Sequence, residues 1–291
     1  MSWRVVVVAS NAKVDYKMDY IVVRTVDEVR RVHISEIGVL MIESTAVSIT
    51  AYALCELANR KVKVIFCDHE RNPQTELMPI HGSHDTSAKI RQQLRWTENS
   101  KQNVWTELVR EKIWQQRQLL TKLGLPQADL LERYLEELQL NDTTNREGHA
   151  AKVYFNALFG KNFSRADNCP VNAALNYGYG IILSAINREI SAAGYLSQVG
   201  IFHDNTYNPF NLGCDFLEPL RPLVDCTVIR MNPECLEHEQ KMALVQLLNR
   251  QVMIDGREQF LLYGIRIYCA SLFRALQNGD ISEIRMIEYE L

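Results

Sequence analysis

The chain has 291 residues, 47% of them hydrophobic and 23% charged, and a formal net charge of −3. That length allows two domains with separate cores, and no apolar run approaches the roughly 18 residues of a membrane span; with no secretory pattern at the N-terminus, a cytoplasmic protein with no membrane partner is expected. A slightly acidic chain is not a global polyanion binder, so any nucleic-acid surface must be local or arise by oligomerisation; seven scattered cysteines, none spaced Cys-x-x-Cys, exclude a disulfide framework or zinc knuckle and are expected to be buried thiols.

The first 80 residues are rich in β-branched runs. Strands are predicted at 3–8, 20–24, 31–34, 38–42 and 62–67, with turns supplied by Asn11, Asp19 and Asp68. Ala53, Leu54 and Leu57 fall at helical spacing, so one helix over 49–60 should pack on the sheet. A β-rich domain is therefore placed at 1–80. Pro79, Gly82 and Ser83 mark a linker at 81–86.

Residues 87–291 read as helical. From 86 to 123 there is neither proline nor glycine, which predicts one long helix or two in line, ended by Gly124 and Pro126. Between Lys89 and Lys122 eight basic residues (Lys89, Arg91, Arg95, Lys101, Arg110, Lys112, Arg117, Lys122) face three acids (Glu98, Glu107, Glu111), either a phosphate-facing surface or a solvated helix face. A short helix follows at 128–138, then a turn and cap cluster at 141–145, then a helix start carrying Glu147 in its first turn. A carboxylate there also suits the positive end of the helix dipole. The apolar helix at 172–187 has small residues for tight packing and Asn176, Tyr177 and Tyr179 as polar handles. His203 is expected to leave the end of an apolar helix, and a loop of turn residues leads from it to Asp215 and Glu218. Further helices are predicted at 237–251 and 257–276. The fold class is α+β: a small N-terminal β-domain with one helix and a larger all-helical C-terminal domain, 87–291.

The stretch 200–222 organises the functional reading. A loop that starts and ends on packed elements can bring an imidazole and carboxylates to one point, as metal sites require. Within it, Gly200-x-x-His203 and Asp215-x-x-Glu218-Pro219-x-Arg221-Pro222, together with Glu147-Gly148, Ala150-Ala151, Tyr154 and Asn172-x-x-Leu175-Asn176-Tyr177, resemble the Cas-one family, the integrases of CRISPR spacer acquisition, in order and spacing. Trp3-Arg4 with the valines at 5–8, His33-Ile-Ser-Glu-Ile, and Val64-Ile65-Phe66-Cys67-Asp68 look like its type II branch, II-A in particular. The resemblance spans essentially the whole chain.

It implies a β-domain that forms the homodimer contact, joined by a linker to a helical catalytic domain. It also implies that Glu147, His203 and Glu218 are the catalytic metal ligands, with glutamate where many relatives have aspartate. Two carboxylates and an imidazole suit Mg²⁺ or Mn²⁺, which would serve attack by a DNA 3′-hydroxyl, or by water, on a phosphodiester. The implied partners are double-stranded DNA as spacer precursor and repeat, a dimer of the small Cas-two protein, and in type II-A a ring-forming DNA-end accessory protein and the effector nuclease.

Several roles stay open at this level. Asp215 could orient a ligand or be one; Arg221 could pair with Glu218 or another acid, or hold a phosphate. His149 is read as a surface residue or one that supports the site, His81 and His84 as solvated, and Tyr177 as packing. His203 could instead be a satisfied core histidine. The integrase competes with a structure-selective endonuclease using the same ligands and with a noncatalytic DNA-binding scaffold.

Overall fold

The computed structural model of the chain describes residues 4–77 and 83–291; Trp3 and the hinge residues Pro79, His81 and Gly82 lie outside them. The β-branched runs build two four-stranded sheets. One takes β1 (Arg4–Val8), β5 (Ile37–Ile42), β7 (Lys63–Cys67) and β8 (Pro73–Leu77) in that order, the first three parallel and β8 antiparallel. The other runs β4 (Val29–His33), β3 (Tyr20–Arg24), β2 (Ala12–Lys17) and β6 (Val47–Ile49). Helix α1 (Ala51–Asn59) is capped by Thr50, whose hydroxyl accepts from the Ala53 N–H at 3.2 Å, and it packs on β2 and β7.

Strand β5 is buried along its whole length, and the two-residue period of a strand divides it between two cores. Leu40 and Ile42 join Val14, Ile21, Leu57 and Val64 in the core of the small domain, whereas Val39, Met41, Ile65 and Cys67 point into the helical core. The first sheet is thus a wall common to both.

The helical part comprises α2 (Thr86–Gln93), α3 (Glu98–Lys122), α4 (Ala128–Glu136), α5 (Arg146–Phe159), α6 (Pro170–Ala192), α7 (Asn211–Leu217), α8 (Arg221–Met231), α9 (His238–Val245) and α10 (Leu261–Asn278). The proline-free run is two helices, because Thr97 caps the second and accepts from the Ser100 N–H at 3.1 Å. Helix α6 is the spine, packing against α7, α8, α9 and α10.

Three expectations are corrected. The C-terminal domain is not all-helical: the ranges read as helices at 237–251 and 257–276 meet in a hairpin of β9 (Gln251–Ile254) and β10 (Arg257–Phe260). Asp255 and Gly256 turn it with φ of 52° and 69°, the left-handed pair that a two-residue hairpin demands. His203 does not leave a helix end, since α6 stops at Ala192 and the imidazole belongs to the irregular segment 193–210. The seven cysteines are free thiols, but Cys55 and Cys235 are exposed.

Candidate active site

Glu147 is fixed by the start of α5. Asn145, with φ of 53°, turns the chain, and the Asp142 carboxylate accepts the first free N–H groups, from Arg146 at 2.6 Å and Glu147 at 2.9 Å. The Glu147 carboxylate then projects from the positive end of the helix. Glu218 comes from the opposite direction, on the single 3₁₀ turn 218–220 between α7 and α8, and is buried.

The group that joins them is Lys112 of α3. Its buried ammonium donates to Glu147 Oε1 and to Glu218 Oε2. Arg221 holds the other Glu218 oxygen, Nε to Oε1 at 2.9 Å. Burial alone would push the Glu218 pKa up, but Arg221 and Lys112 outweigh it and hold the carboxyl down to about 2. Arg221 thus takes the pairing role, and its guanidinium also lies over the Tyr179 ring, 4.7 Å from the centroid.

His203 is held by Asp215, which is fully buried on α7. The Asp215 carboxylate accepts from the backbone N–H groups of Ile201 (2.7 Å), Phe202 (3.3 Å) and His203 (3.0 Å), and its Oδ1 lies 2.6 Å from His203 Nδ1. Every one of these contacts calls for an acceptor, so Nδ1 carries the proton toward Asp215 and Nε2 is left with its lone pair. The hydrogen bond to Asp215 raises the imidazole pKa against the opposing effect of burial. Phe202 stacks on the buried Trp105 ring at 4.1 Å, and the same indole meets His203 edge-on at 5.6 Å. Gly200 closes the turn because a Cβ there would drive into the His203 carbonyl oxygen and stand 2.7 Å from Asp215 Oδ2. Asp215 is therefore the residue that orients the imidazole.

Glu147, Glu218 and Lys112 line a cleft of about 220 Å³ together with Arg165, Arg221, Tyr179 and Asp225. Arg165 is pinned by the amide oxygens of Asn172 and Asn176, the latter at 2.6 Å, which gives the Asn-x-x-Leu-Asn motif its work. Asp225 accepts from the Tyr154 hydroxyl at 3.0 Å and from that of Tyr179; burial still lifts its pKa to about 6. Lys112, Arg165 and Asp225 were missed as site residues by the sequence reading.

Other expectations resolve individually. His149 is exposed, 6.2 Å from the Tyr134 ring; His84 is exposed; Tyr177 is packing, its hydroxyl 3.9 Å from Met41 Sδ. The basic face of 89–122 largely dissolves. Lys101, Arg110 and Arg117 pair with Glu98, Glu107 and Glu132, Lys112 is inside the site, and Lys122 holds the Leu291 carbonyl. Lys89 lies over the Tyr195 ring at 5.8 Å, and Arg91 and Arg95 are exposed.

The donor chemistry of Glu147, Glu218 and His203 Nε2 fits a divalent ion. As the side chains stand, however, no three histidine, cysteine, aspartate or glutamate groups among the described residues are close enough to share one, and an ammonium joins the two glutamates.

Fold and cleft together define a β-plus-helical protein whose cleft combines two glutamates with flanking guanidinium groups, while the carboxylate-held His203 is not among the residues lining it. The chain belongs to the Cas1 family: the family model described as CRISPR associated protein Cas1 matches residues 5–241. It is 32% identical to the CRISPR-associated endonuclease Cas1 of Neisseria meningitidis serogroup C, over 99% of this chain and 97% of that one. Among solved structures, a casposase bound to integration product superposes with a TM-score of 0.75 over 96% of this chain and 91% of that one. A Cas1 protein from Thermotoga maritima gives 0.75 over 94% and 97%, and a Cas6-RT-Cas1–Cas2 complex gives 0.72 over 97% of this chain and 36% of that one. Identity is 17% in each of these three, so they speak for the fold alone. No helix among the described residues is long and apolar enough to cross a membrane.

Proposed function

We propose that this chain is a metal-dependent DNA integrase that joins the 3′-ends of a spacer precursor to the borders of a CRISPR repeat. The observation that carries the reading is the meeting of Glu147 and Glu218 in one cleft, beside an imidazole, His203, that Asp215 orients outside the cleft lining but near enough to Glu218 to feel its charge. Mg²⁺ or Mn²⁺ held by Glu147, Glu218 and His203 would supply charge neutralisation at a scissile phosphate and a lowered pKa for an attacking hydroxyl. The chain's own residues do the positioning. Arg165, held by Asn172 and Asn176, and Arg221, held by Glu218, flank the cleft with pre-aimed guanidinium groups suited to phosphate oxygens. The attacking 3′-oxygen forms a new P–O bond as the old 3′-oxygen leaves, so phosphodiester number is conserved and no covalent enzyme intermediate is needed.

The names of similar proteins support the same reading: an endonuclease among its relatives, an integration product on the casposase, and Cas2 in the assembled complex. The partners in this reading are duplex DNA, a second copy of the chain through the β-domain, and a Cas-two dimer. The type II-A accessory ring protein and effector nuclease belong to it on the strength of the branch motifs. The test is strand transfer of a short duplex with free 3′-hydroxyls into a repeat-bearing plasmid, with the Cas-two partner and Mn²⁺ or Mg²⁺. Joining at repeat borders that disappears in His203→Ala is the expected result; metal-dependent cutting without joining would make the chain a nuclease instead.

A further inference from the structure

The ammonium of Lys112 lies at the one point where the two glutamates of the site meet. It reaches there from the buried face of α3, and it touches carboxylates contributed by the start of α5 and by the 3₁₀ turn before α8. Glu218 has a second cation in Arg221, but among the described residues Lys112 is the cation paired with Glu147. Two carboxylates brought together in a largely buried cleft repel one another and lose hydration unless a positive charge stands between them.

We propose that Lys112 is a built-in place-holder for the divalent ion: it holds Glu147 and Glu218 in register when no metal is bound, and the ion must displace it to bind. This rests on the metal-dependent reading above and adds to it a competitor carried by the protein itself. An ammonium and a divalent cation cannot both take the same carboxylate lone pairs, and at such distances they repel. Occupancy by one therefore excludes the other. Lys112 is what the two apposed carboxylates share, and no three acid or imidazole groups among the described residues are gathered there. The arrangement predicts that the site binds metal more weakly than its donor set would alone, because each binding event includes breaking two ion pairs to Lys112.

The experiment is Mn²⁺ titration of the full chain followed by the electron paramagnetic resonance signal of free Mn²⁺, for wild type, Lys112→Met and His203→Ala. Methionine keeps the length and apolar stem of lysine and removes the charge. The expected result is Mn²⁺ binding by wild type that is weakened in His203→Ala and is at least about tenfold tighter in Lys112→Met, a change of roughly 1.4 kcal/mol. A merely structural role for Lys112 would move affinity the other way, since a disordered pair of glutamates binds an ion less well. Unchanged or weaker binding in Lys112→Met, with wild type still showing His203-dependent binding, overturns the place-holder and leaves the metal reading intact. Absence of His203-dependent binding in wild type overturns both. Should Lys112→Met fail to fold, acetylation of lysines in the wild type, read by mass spectrometry, decides the matter. Lys112 should be protected in the metal-free protein and modified several-fold faster with saturating Mn²⁺; equal protection overturns the proposal.

Discussion

At the scale of single residues the site depends on Asp215, a buried carboxylate whose four hydrogen bonds all run to the 201–203 turn. Replacing it by asparagine keeps the shape but exchanges one charged acceptor oxygen for an NH₂ that cannot accept. Asp215→Asn should therefore cost roughly 3 kcal/mol of stability, the scale of one or two hydrogen bonds to a buried charge. It should also return the His203 pKa downward, because the hydrogen bond to Asp215 is the largest cause of its rise. The sign of the pH effect follows. A folded-state imidazole pKa above its unfolded value contributes stability that is fully present below the unfolded pKa and is lost as pH rises through the folded one. In the metal-free protein that loss should be seen in wild type and be diminished in Asp215→Asn. Titration of the His203 ring protons by NMR, beside urea midpoints at several pH values, measures both; an unmoved imidazole pKa in the variant would remove Asp215 from its orienting role. Part of this was legible in sequence, because Gly200-x-x-His203 and Asp215-x-x-Glu218 stand in one loop-linked stretch. Lys112 was not recognised, although Trp105, Leu108, Val109 and Gln116 share its helical face and are all buried. Its charge put it among solvated bases, and the 3.6-residue period would have put it inside.

At the scale of elements, the small residues of α6 predicted close packing, and Gly178 is where that packing occurs. A Cβ there would drive into Val224 Cγ1 of α8 and approach Leu244 Cδ2 of α9 to 3.2 Å, and both side chains are fully buried. Val224 is β-branched and cannot swing aside, so α8 must shift. Gly178→Ala should cost about 1–3 kcal/mol as overpacking and lower strand transfer as well, since α8 begins with Arg221 and carries Asp225. At Gly180, two residues on, an added methyl would meet nothing within 4 Å. Gly180→Ala should be neutral or stabilising by up to about 1 kcal/mol from helix propensity. Urea midpoints at constant m-value decide it, and equal losses at the two positions would rule out the close crossing. The parallel strands β1, β5 and β7 and the long helices were readable because each carries one sustained pattern of burial. The strands β2, β6 and β8 were not: β6 is three residues long, and β8 is a polar edge run with burial set by its neighbour. The hairpin after α9 was overlooked because Val252 also fits a helical face with Val245 and Leu248, although Asp255-Gly256 is a strong turn signal.

At the scale of the whole molecule, the proposed DNA chemistry requires a chain with net charge −3 to concentrate its positive potential locally. The sequence offered a run of eight bases; tertiary structure puts four of them, Lys101, Arg110, Lys112 and Arg117, into ion pairs, while Arg91 and Arg95 stand exposed at the rim of a pocket lined by Gln92, Trp96, Thr97 and Ser100. Composition could locate the excess but not its direction, because pairing with Glu132 of α4 or with the Leu291 carbonyl is decided by contacts far along the chain. If these two arginines meet the duplex backbone, each phosphate that is no longer neutralised takes about 0.9 from the slope of log affinity against log salt. Arg91→Gln with Arg95→Gln should therefore flatten the slope by roughly 2 for a duplex of any sequence, with no change in which ends are joined. Arg117→Gln, which removes a cation already paired with Glu132, should leave the slope where it is. Fluorescence anisotropy of a labelled duplex across a salt series measures all three proteins. A slope that falls with Arg117→Gln and stays put in the double variant would place the duplex on α3 instead of α2.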